Sequence, residues 1–271
     1  MKELALYNLK EGMVLAKDIT TPSGQVVLEK GKELTKQSIL RLSFYNIKSA
    51  CIVDGEEKQA APKSYSQKIK TSQKFQSFQV DHTIVLSQIR VSFEGYVNEG
   101  KPLDTSALLS KVVELFQSCK TSLELFNMLH NMHSSDDSVY VHSLNVSLIC
   151  RQIGKWIKAD DATLDMLTLA GLLHDIGKLK IPTELLNKPG KYTDEEFAQV
   201  RLHTQYGYEL LKPLPLDAHI KLAALSHHER CDGTGYPNGL TTNDIDPYAR
   251  VVAIADVYDA MILFSSPLER S

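Results

Sequence analysis

The most constraining feature of the sequence is an almost unbroken apolar run that begins near Leu164 and ends in the pair His174-Asp175. Such a run predicts a buried helix, and an imidazole and a carboxylate at its buried end are costly unless a partner compensates them. A metal ion is the obvious partner. Gly177 suits a helix C-cap, and Lys178 places a cation beside the pair. The alternative is a buried hydrogen bond between His174 and Asp175 that only braces the core.

Similar ionisable side chains occur on the apolar faces of other predicted helices. A capping box, Thr193 with Glu196, begins a helix whose apolar face includes His203. Asp246-Pro247 begins another helix, which carries Asp256 on an apolar background. Each of these side chains alone is more often a satisfied core residue than a ligand, but together they predict a metal centre. The candidate ligands are His142, His174, Asp175, His203, His227, His228 and Asp256.

The types of these side chains indicate which metals they would hold. Imidazoles combined with carboxylates suit transition metals such as iron, manganese or zinc better than calcium or magnesium. We therefore expect two divalent transition metals, with iron or manganese favoured.

Composition limits the function classes. A length of 271 residues with 43% hydrophobic content predicts about two domains with a real core. The net charge of -3 argues against broad binding to a nucleic-acid polymer or to an anionic membrane, and no apolar stretch is long enough to cross a membrane. The start of the chain has no signal-peptide pattern, so a cytoplasmic location is expected. The scattered cysteines fit reduced thiols better than disulfides.

The pattern along the chain predicts a mainly α protein with a small α+β module in front. The module covers residues 1–57, a polar linker follows at 58–74, and an all-helical domain covers 134–271. Between them, residues 75–133 predict two connecting helices that break near Gly100. These helices either form the seam of a homodimer or pack on the C-terminal domain, and both alternatives stay open.

The motifs HDIGK at 174–178 and HHERCDGTGYP at 227–237 resemble the HD-GYP family, a branch of the HD superfamily of metal-dependent phosphohydrolases. The resemblance covers about residues 130–262. It implies an all-helical domain that hydrolyses cyclic di-GMP to the linear dinucleotide pGpG and often onward to GMP. It also implies ligand roles for the candidate set, with Asp175 bridging the two metals.

The chemistry implied by this resemblance is a two-metal hydrolysis, in which an activated water attacks phosphorus in line. Asp175 and Lys178 are the predicted catalytic residues, and Lys178 would hold the phosphate or assist the leaving oxygen. Lys178, Gly235, Tyr236 and Pro237 are the predicted substrate-binding residues. The ring of Tyr236 would stack on a guanine or face a partner protein such as a diguanylate cyclase of the GGDEF type.

The sequence departs from the family pattern in two places. A glutamate that supports a third metal in some members, one helical turn before His142, is replaced by Ser138, so two metals are expected. After DVYDAM at 256–261 the family usually continues with a basic R-P-Y-R-like motif, whereas this chain reads ILFSSPLERS, which indicates a truncated or degenerate domain.

Three functional hypotheses follow. The first is a cyclic di-GMP phosphodiesterase. The second is a catalytically impaired module that acts as a nucleotide receptor or a docking domain. The third is a hydrolase of another cyclic dinucleotide or of a phosphomonoester.

Overall fold

The structure, a computed structural model, divides the chain into two units, residues 1–68 and 69–271. The boundary falls within the predicted linker. Ser138, the position that bears on a third metal, and the C-terminal residues 265–271 lie outside the described part of the chain. The described residues are 2–21, 26–35, 38–39, 42, 45, 47–53, 65–132 and 139–264.

The first unit contains two small antiparallel sheets. Strand β1 (Lys2–Ala5) pairs with β4 (Ser49–Ile52), with Lys2 opposite Ile52. Strand β2 (Ile19–Thr20) pairs with β3 (Val26–Leu28). Alternate residues of β4 are buried, as expected for a strand with one face on a core. The helix predicted in this module falls partly outside the described residues.

The remainder of the described chain is helical, which confirms the predicted fold class. The helices are α1 (Tyr65–Lys70), α2 (Gln73–Glu99), α3 (Thr105–Gln117), α4 (Ser122–Met132), α5 (Val139–Trp156), α6 (Asp161–Leu173), α7 (Thr183–Leu186), α8 (Asp194–Arg201), α9 (His203–Leu211), α10 (Ala218–Ser226) and α11 (Pro247–Phe264). None of them is long and apolar enough to cross a membrane.

Capping residues set several of these helix ends. Gly100 ends α2 in the left-handed conformation, with φ of 68°, which a glycine adopts without steric cost. The side chain of Asp160 accepts a hydrogen bond from the backbone of Thr163 and so caps α6. Thr193 and Glu196 form the predicted capping box at the start of α8. Local sequence therefore sets the end of α2 and the starts of α6 and α8.

The connecting segment differs in one respect from its prediction. The break at Gly100 is present, but three helices rather than two occupy the segment, because the chain turns again between α3 and α4. Buried residues of these helices, such as Ile89 and Val112, belong to the same hydrophobic core as Leu172 and Val252 in the C-terminal helices. The connecting helices thus pack on the C-terminal domain, and homodimer formation through them stays a prediction.

Candidate metal centre

The site is built around the end of α6. Helix α6 finishes at Leu173, His174 forms its C-cap, and Asp175 leads into a 3-10 turn. The side chains of His174 and Asp175 are almost completely buried. The pair therefore lies inside the core, as the apolar run predicted.

Gly177 has a different role from the predicted C-cap. It lies within the 3-10 turn after the cap, where the backbone of α9 approaches it closely. A Cβ atom at this position would lie 1.9 Å from the carbonyl oxygen of His203 and 2.4 Å from the backbone nitrogen of Gly207. Gly177 is thus required for close packing, and it brings α9 and His203 against the end of α6.

The two oxygens of Asp175 face two different sets of histidines. Oδ2 lies 3.3 Å from Nε2 of His174 and 3.6 Å from Nε2 of His142. Oδ1 lies 3.3 Å from Nε2 of His203 and 3.6 Å from Nε2 of His227. One carboxylate is therefore shared between two groups of imidazoles, and both groups have the spacing needed to hold a metal ion.

The other two predicted ligands complete this cluster. His228 belongs to the group that contains His203 and His227. Asp256 on α11 places Oδ1 3.0 Å from Nε2 of His142 and Oδ2 3.9 Å from Nδ1 of His228. The structure therefore brings together every residue of the predicted ligand set, from five separate segments of the chain.

Backbone carbonyls orient three of the histidines. Each of these histidines donates its Nδ1–H to a carbonyl oxygen, so that Nε2 carries the lone pair and points into the cluster. The pairs are His174 with Gly171 (2.8 Å), His203 with Val200 (2.7 Å) and His227 with Ala223 (3.0 Å). This arrangement is typical of histidines that ligate metal ions.

The charge state of most of the cluster also suits metal ions. Burial lowers the pKa of His203 to about 4 and that of His228 to about 2, so both imidazoles are neutral at pH 7. Burial would lower the pKa of His142 as well, but its contacts with Asp256 and Asp259 raise it to about 9. Burial would raise the pKa of Asp175, but Lys178 and His174 hold it well below its usual value. Neutral imidazoles and ionised carboxylates are the forms that bind metal, so His142 is the exception and must release its Nε2 proton before it can act as a ligand.

Two buried atoms of the cluster have no hydrogen-bond partner among the described residues. They are Nε2 of His174 and Oδ1 of Asp175. Leaving a buried polar atom unpaired costs about 1–3 kcal/mol. Divalent metal ions at these positions would compensate both atoms, so the residues present fit the metals that the sequence predicts.

Lys178 is the cation closest to Asp175. Its Nζ lies 2.5 Å from Oδ2 of Asp175, and only a quarter of its side chain is exposed. Burial would lower the pKa of Lys178, but Asp175 raises it, so the amine stays protonated. This position gives a protonated donor at the edge of the cluster.

The predicted substrate loop lies against the histidines. The ring of Tyr236 packs on the ring of His228 at 4.8 Å, and Pro237 follows it in the loop. A Cβ at Gly235 would lie 2.5 Å from Cα of Glu229, so only glycine fits there. Glu229 accepts hydrogen bonds from the backbone nitrogens of Asn238 and Leu240, at 2.7 and 2.9 Å, and so braces the loop.

Sequence reasoning missed a chain of buried polar residues behind His142. Nδ1 of His142 donates to Oδ2 of Asp259 at 2.8 Å, and Nδ2 of Asn145 donates to Oδ1 of Asp259 at 3.1 Å. Nε2 of His82, on α2, lies 3.4 Å from Oδ1 of Asn145. Only Asp259 carried a signal, because it shares a predicted helix face with Asp256.

Sequence reasoning also missed Arg201, the last residue of α8. Its guanidinium carbon lies 4.3 Å from the centroid of the Phe197 ring and 4.9 Å from that of Tyr236. Its position next to the site follows from how α8 packs on the loop, which no local pattern indicated.

Comparisons with known proteins identify the family of the helical domain. The HD domain family model matches residues 110–270. The chain is 39% identical over 163 residues to a cyclic di-GMP phosphodiesterase of Pseudomonas aeruginosa, and the alignment covers 60% of this chain and 39% of that protein. It is 37% identical over 145 residues to 3'3'-cGAMP-specific phosphodiesterase 2 of Vibrio cholerae, and this alignment covers 52% of this chain and 28% of that protein. The chain thus spans less than half the length of these curated relatives.

A solved structure supports the fold. An HDG"Y"P protein from Bdellovibrio bacteriovorus superposes with a TM-score of 0.55 at 18% identity, over 97% of this chain and 88% of that one. At this identity the likeness concerns the fold alone. Together with the HD domain match and the HDIGK and GYP motifs, these findings show that the chain belongs to the HD domain family, as an HD-GYP domain protein.

Proposed function

We propose that this protein is a metal-dependent phosphodiesterase that hydrolyses cyclic di-GMP to pGpG, GMP or both at a two-metal centre. One observation supports this most strongly. The two oxygens of Asp175 are divided between two histidine groups, which is the arrangement expected of a carboxylate that bridges two ions.

In this proposal each metal has its own ligands. His142 and His174 would hold one ion, and His203, His227 and His228 would hold the other. Asp175 would bridge the two ions, and Asp256 would complete the coordination. Iron or manganese is the expected metal, because mixed imidazole and carboxylate donors suit both. When bound, the two ions supply an activated water and neutralise charge on the phosphate.

The remaining chemistry falls to residues of this chain. The oxygen of water bonds to phosphorus, the bond between phosphorus and the ribose O3′ breaks, and O3′ takes up a proton. Lys178, a protonated and largely buried donor, would bind a phosphate oxygen or stabilise the leaving O3′. Gly235, Tyr236 and Pro237 would bind the nucleotide, with the Tyr236 ring against a guanine.

Another cyclic dinucleotide is a second candidate substrate. Three of the Vibrio cholerae relatives, at 35–37% identity, are named as 3'3'-cGAMP-specific phosphodiesterases. Cyclic di-GMP and 3'3'-cGAMP share the same phosphodiester ring and differ in one base. Both substrates belong in the same assay. Binding to a diguanylate cyclase and formation of a homodimer are further predictions of this proposal.

The decisive experiment measures metal content and hydrolysis on protein purified without oxygen, since an iron pair in its reduced form is lost on oxidation. We expect about two metals per chain and release of pGpG or GMP. The variant Asp175→Ala should lose at least roughly a thousandfold in kcat/KM and should lose bound metal. His219→Ala is the matched control, because His219 bonds to Asp246 outside the cluster.

The other outcomes separate the hypotheses. Two metals without turnover of any cyclic dinucleotide or phosphomonoester would refute the enzymatic proposal in favour of a nucleotide receptor or docking module. Turnover that survives Asp175→Ala would show that the chemistry takes place elsewhere.

A further inference from the structure

A cyclic dinucleotide carries two phosphates, and only one of them reacts at a time. The reacting phosphate belongs at the metal cluster, next to Lys178. The ion pair between Lys178 and Asp175, with Nζ 2.5 Å from Oδ2, keeps the lysine at the cluster, where it cannot also serve the second phosphate. The second phosphate would therefore need another cation at the edge of the site.

Arg201 is such a cation. It is exposed, and it forms no ion pair with any carboxylate in the part of the chain that the structure describes. The rings of Phe197 and Tyr236, whose centroids are 6.4 Å apart, both lie within 5 Å of its guanidinium carbon. Contact with aromatic faces leaves the N–H groups at the edges of a guanidinium free to donate. The two rings thus hold the side chain in place, and no described residue accepts a hydrogen bond from its guanidinium.

The aromatic contact connects Arg201 to the metal cluster. Tyr236 packs on His228 with ring centroids 4.8 Å apart and ring planes 31° apart. Arg201 therefore stands one aromatic ring away from a predicted metal ligand. The positive charge of Arg201 also acts on Tyr236. Burial raises the pKa of the Tyr236 hydroxyl, and the charge of Arg201 opposes that rise.

We propose that Arg201 binds the second, non-reacting phosphate of a cyclic dinucleotide. This inference rests on the proposed function and adds a specificity residue to it. A guanidinium donates two parallel hydrogen bonds to a phosphate, and its prior contact with two rings reduces the entropy lost on binding. A substrate with a single phosphate makes no use of Arg201, so the residue selects for dinucleotides.

The test compares two substrates in the metal-loaded enzyme: cyclic di-GMP, with two phosphates, and bis(p-nitrophenyl) phosphate, with one. For Arg201→Gln we expect KM for cyclic di-GMP to rise about tenfold to a hundredfold, with kcat within about twofold, because a charged hydrogen bond is lost in binding. The kinetics with bis(p-nitrophenyl) phosphate should not change. Arg201→Lys should recover part of the loss, because it restores the charge without the paired donors.

Arg90→Gln is the matched control. Arg90 also rests on an aromatic ring, that of Tyr140 at 5.1 Å, but Tyr140 contacts Glu94 and Phe93. Its loss should leave KM for both substrates unchanged.

Three results would overturn the inference. An unchanged KM for cyclic di-GMP in Arg201→Gln would show that Arg201 does not touch the substrate. Equal losses with both substrates would show that Arg201 only supports Tyr236. A wild-type enzyme that cleaves bis(p-nitrophenyl) phosphate but no cyclic dinucleotide would refute the proposed function itself and this inference with it.

Discussion

The two units of the chain fill their interiors in different ways. The core of the first unit is apolar throughout its described residues, for example at Leu15 and Leu34. The second unit buries ionisable side chains among its apolar ones: His82, Arg151, His174, Asp175, His203, His227, Glu229 and Asp259. Since burying such groups is costly, a core that serves stability alone has no need of them. Buried ionisable side chains thus distinguish the unit that holds the candidate metal centre from the described part of the first unit.

Within the second unit most of this buried polarity is satisfied. Glu229 accepts two backbone hydrogen bonds, and Asp259 accepts from His142 and Asn145. The exceptions in the cluster are Nε2 of His174 and Oδ1 of Asp175, which point at the place proposed for the metals. Perturbing this polar core should therefore affect metal binding, whereas perturbing the apolar core of the first unit should affect stability alone.

The largest effect is expected for Gly177→Ala. The added Cβ would lie 1.9 Å from the carbonyl oxygen of His203, and backbone atoms of α9 must move to make room. We expect a loss of about 4 kcal/mol or more in the free energy of unfolding, measured by denaturant titration. Because α9 carries His203, metal content should fall in the protein that still folds.

Gly95→Ala is the control for this change. A Cβ at Gly95 meets Cδ of Lys101 at 3.3 Å, which is part of a flexible side chain that can move away. Its free energy of unfolding should change by less than about 1 kcal/mol. A Gly177→Ala variant as stable as Gly95→Ala would contradict the close approach of α9 to the end of α6.

A smaller and purely structural effect is expected for Leu15→Ala in the first unit. Leu15 is fully buried, and truncation of such a leucine costs about 2–5 kcal/mol through lost burial and the cavity left behind. Hydrogen exchange should show faster opening of the strands of the first unit, while metal content and hydrolysis stay at the wild-type level. Weaker metal binding in Leu15→Ala would break the comparison, because it would show that the first unit contributes to the centre.

The sequence sufficed to predict which side chains converge, for a definite physical reason. Asp256 interrupts an apolar helix face, and an ionisable residue on such a face must enter the core with the face itself. His203 is also buried, but the prediction of one helix from the capping box through His203 was wrong, because α8 ends at Arg201 with none of its residues buried and His203 begins α9. The fold class was also accessible, because the apolar spacing is helical over most of the chain. Their role as ligands stays a prediction.

Features that depend on packing between distant segments could not be predicted. The interpretation of Gly177 as a C-cap was wrong, because the feature that requires a glycine is the backbone of α9, which local sequence does not reveal. The contact between His142 and Asp259 joins residues 117 positions apart. The break between α3 and α4 was missed because apolar residues such as Leu115, Cys119 and Leu123 continue through it at helical spacing.

The smallest expected effects concern the polar chain behind His142. Asp259→Asn would replace one of the two acceptor oxygens by a donor and so disturb the orientation of His142. We expect metal affinity to fall by about 10–100-fold, as is typical when a residue that orients a ligand is changed. His82 acts through Asn145 and Asp259, so His82→Leu should cost less, within about tenfold. Competition with a chelator measures both affinities without reference to activity.

Two further variants separate orientation from packing along this chain. His82→Gln keeps an N–H donor near Asn145 and should bind metal nearly as well as the wild type. Val85→Ala removes a buried side chain from the same helix, outside the polar chain, and should lower stability but not metal affinity. If His82→Leu and Val85→Ala weaken metal binding equally, α2 affects the centre only through hydrophobic packing and not through the orientation of His142. If His82→Leu alone weakens it, a helix of the connecting segment helps to orient a metal ligand, and a shift of that helix would change the centre.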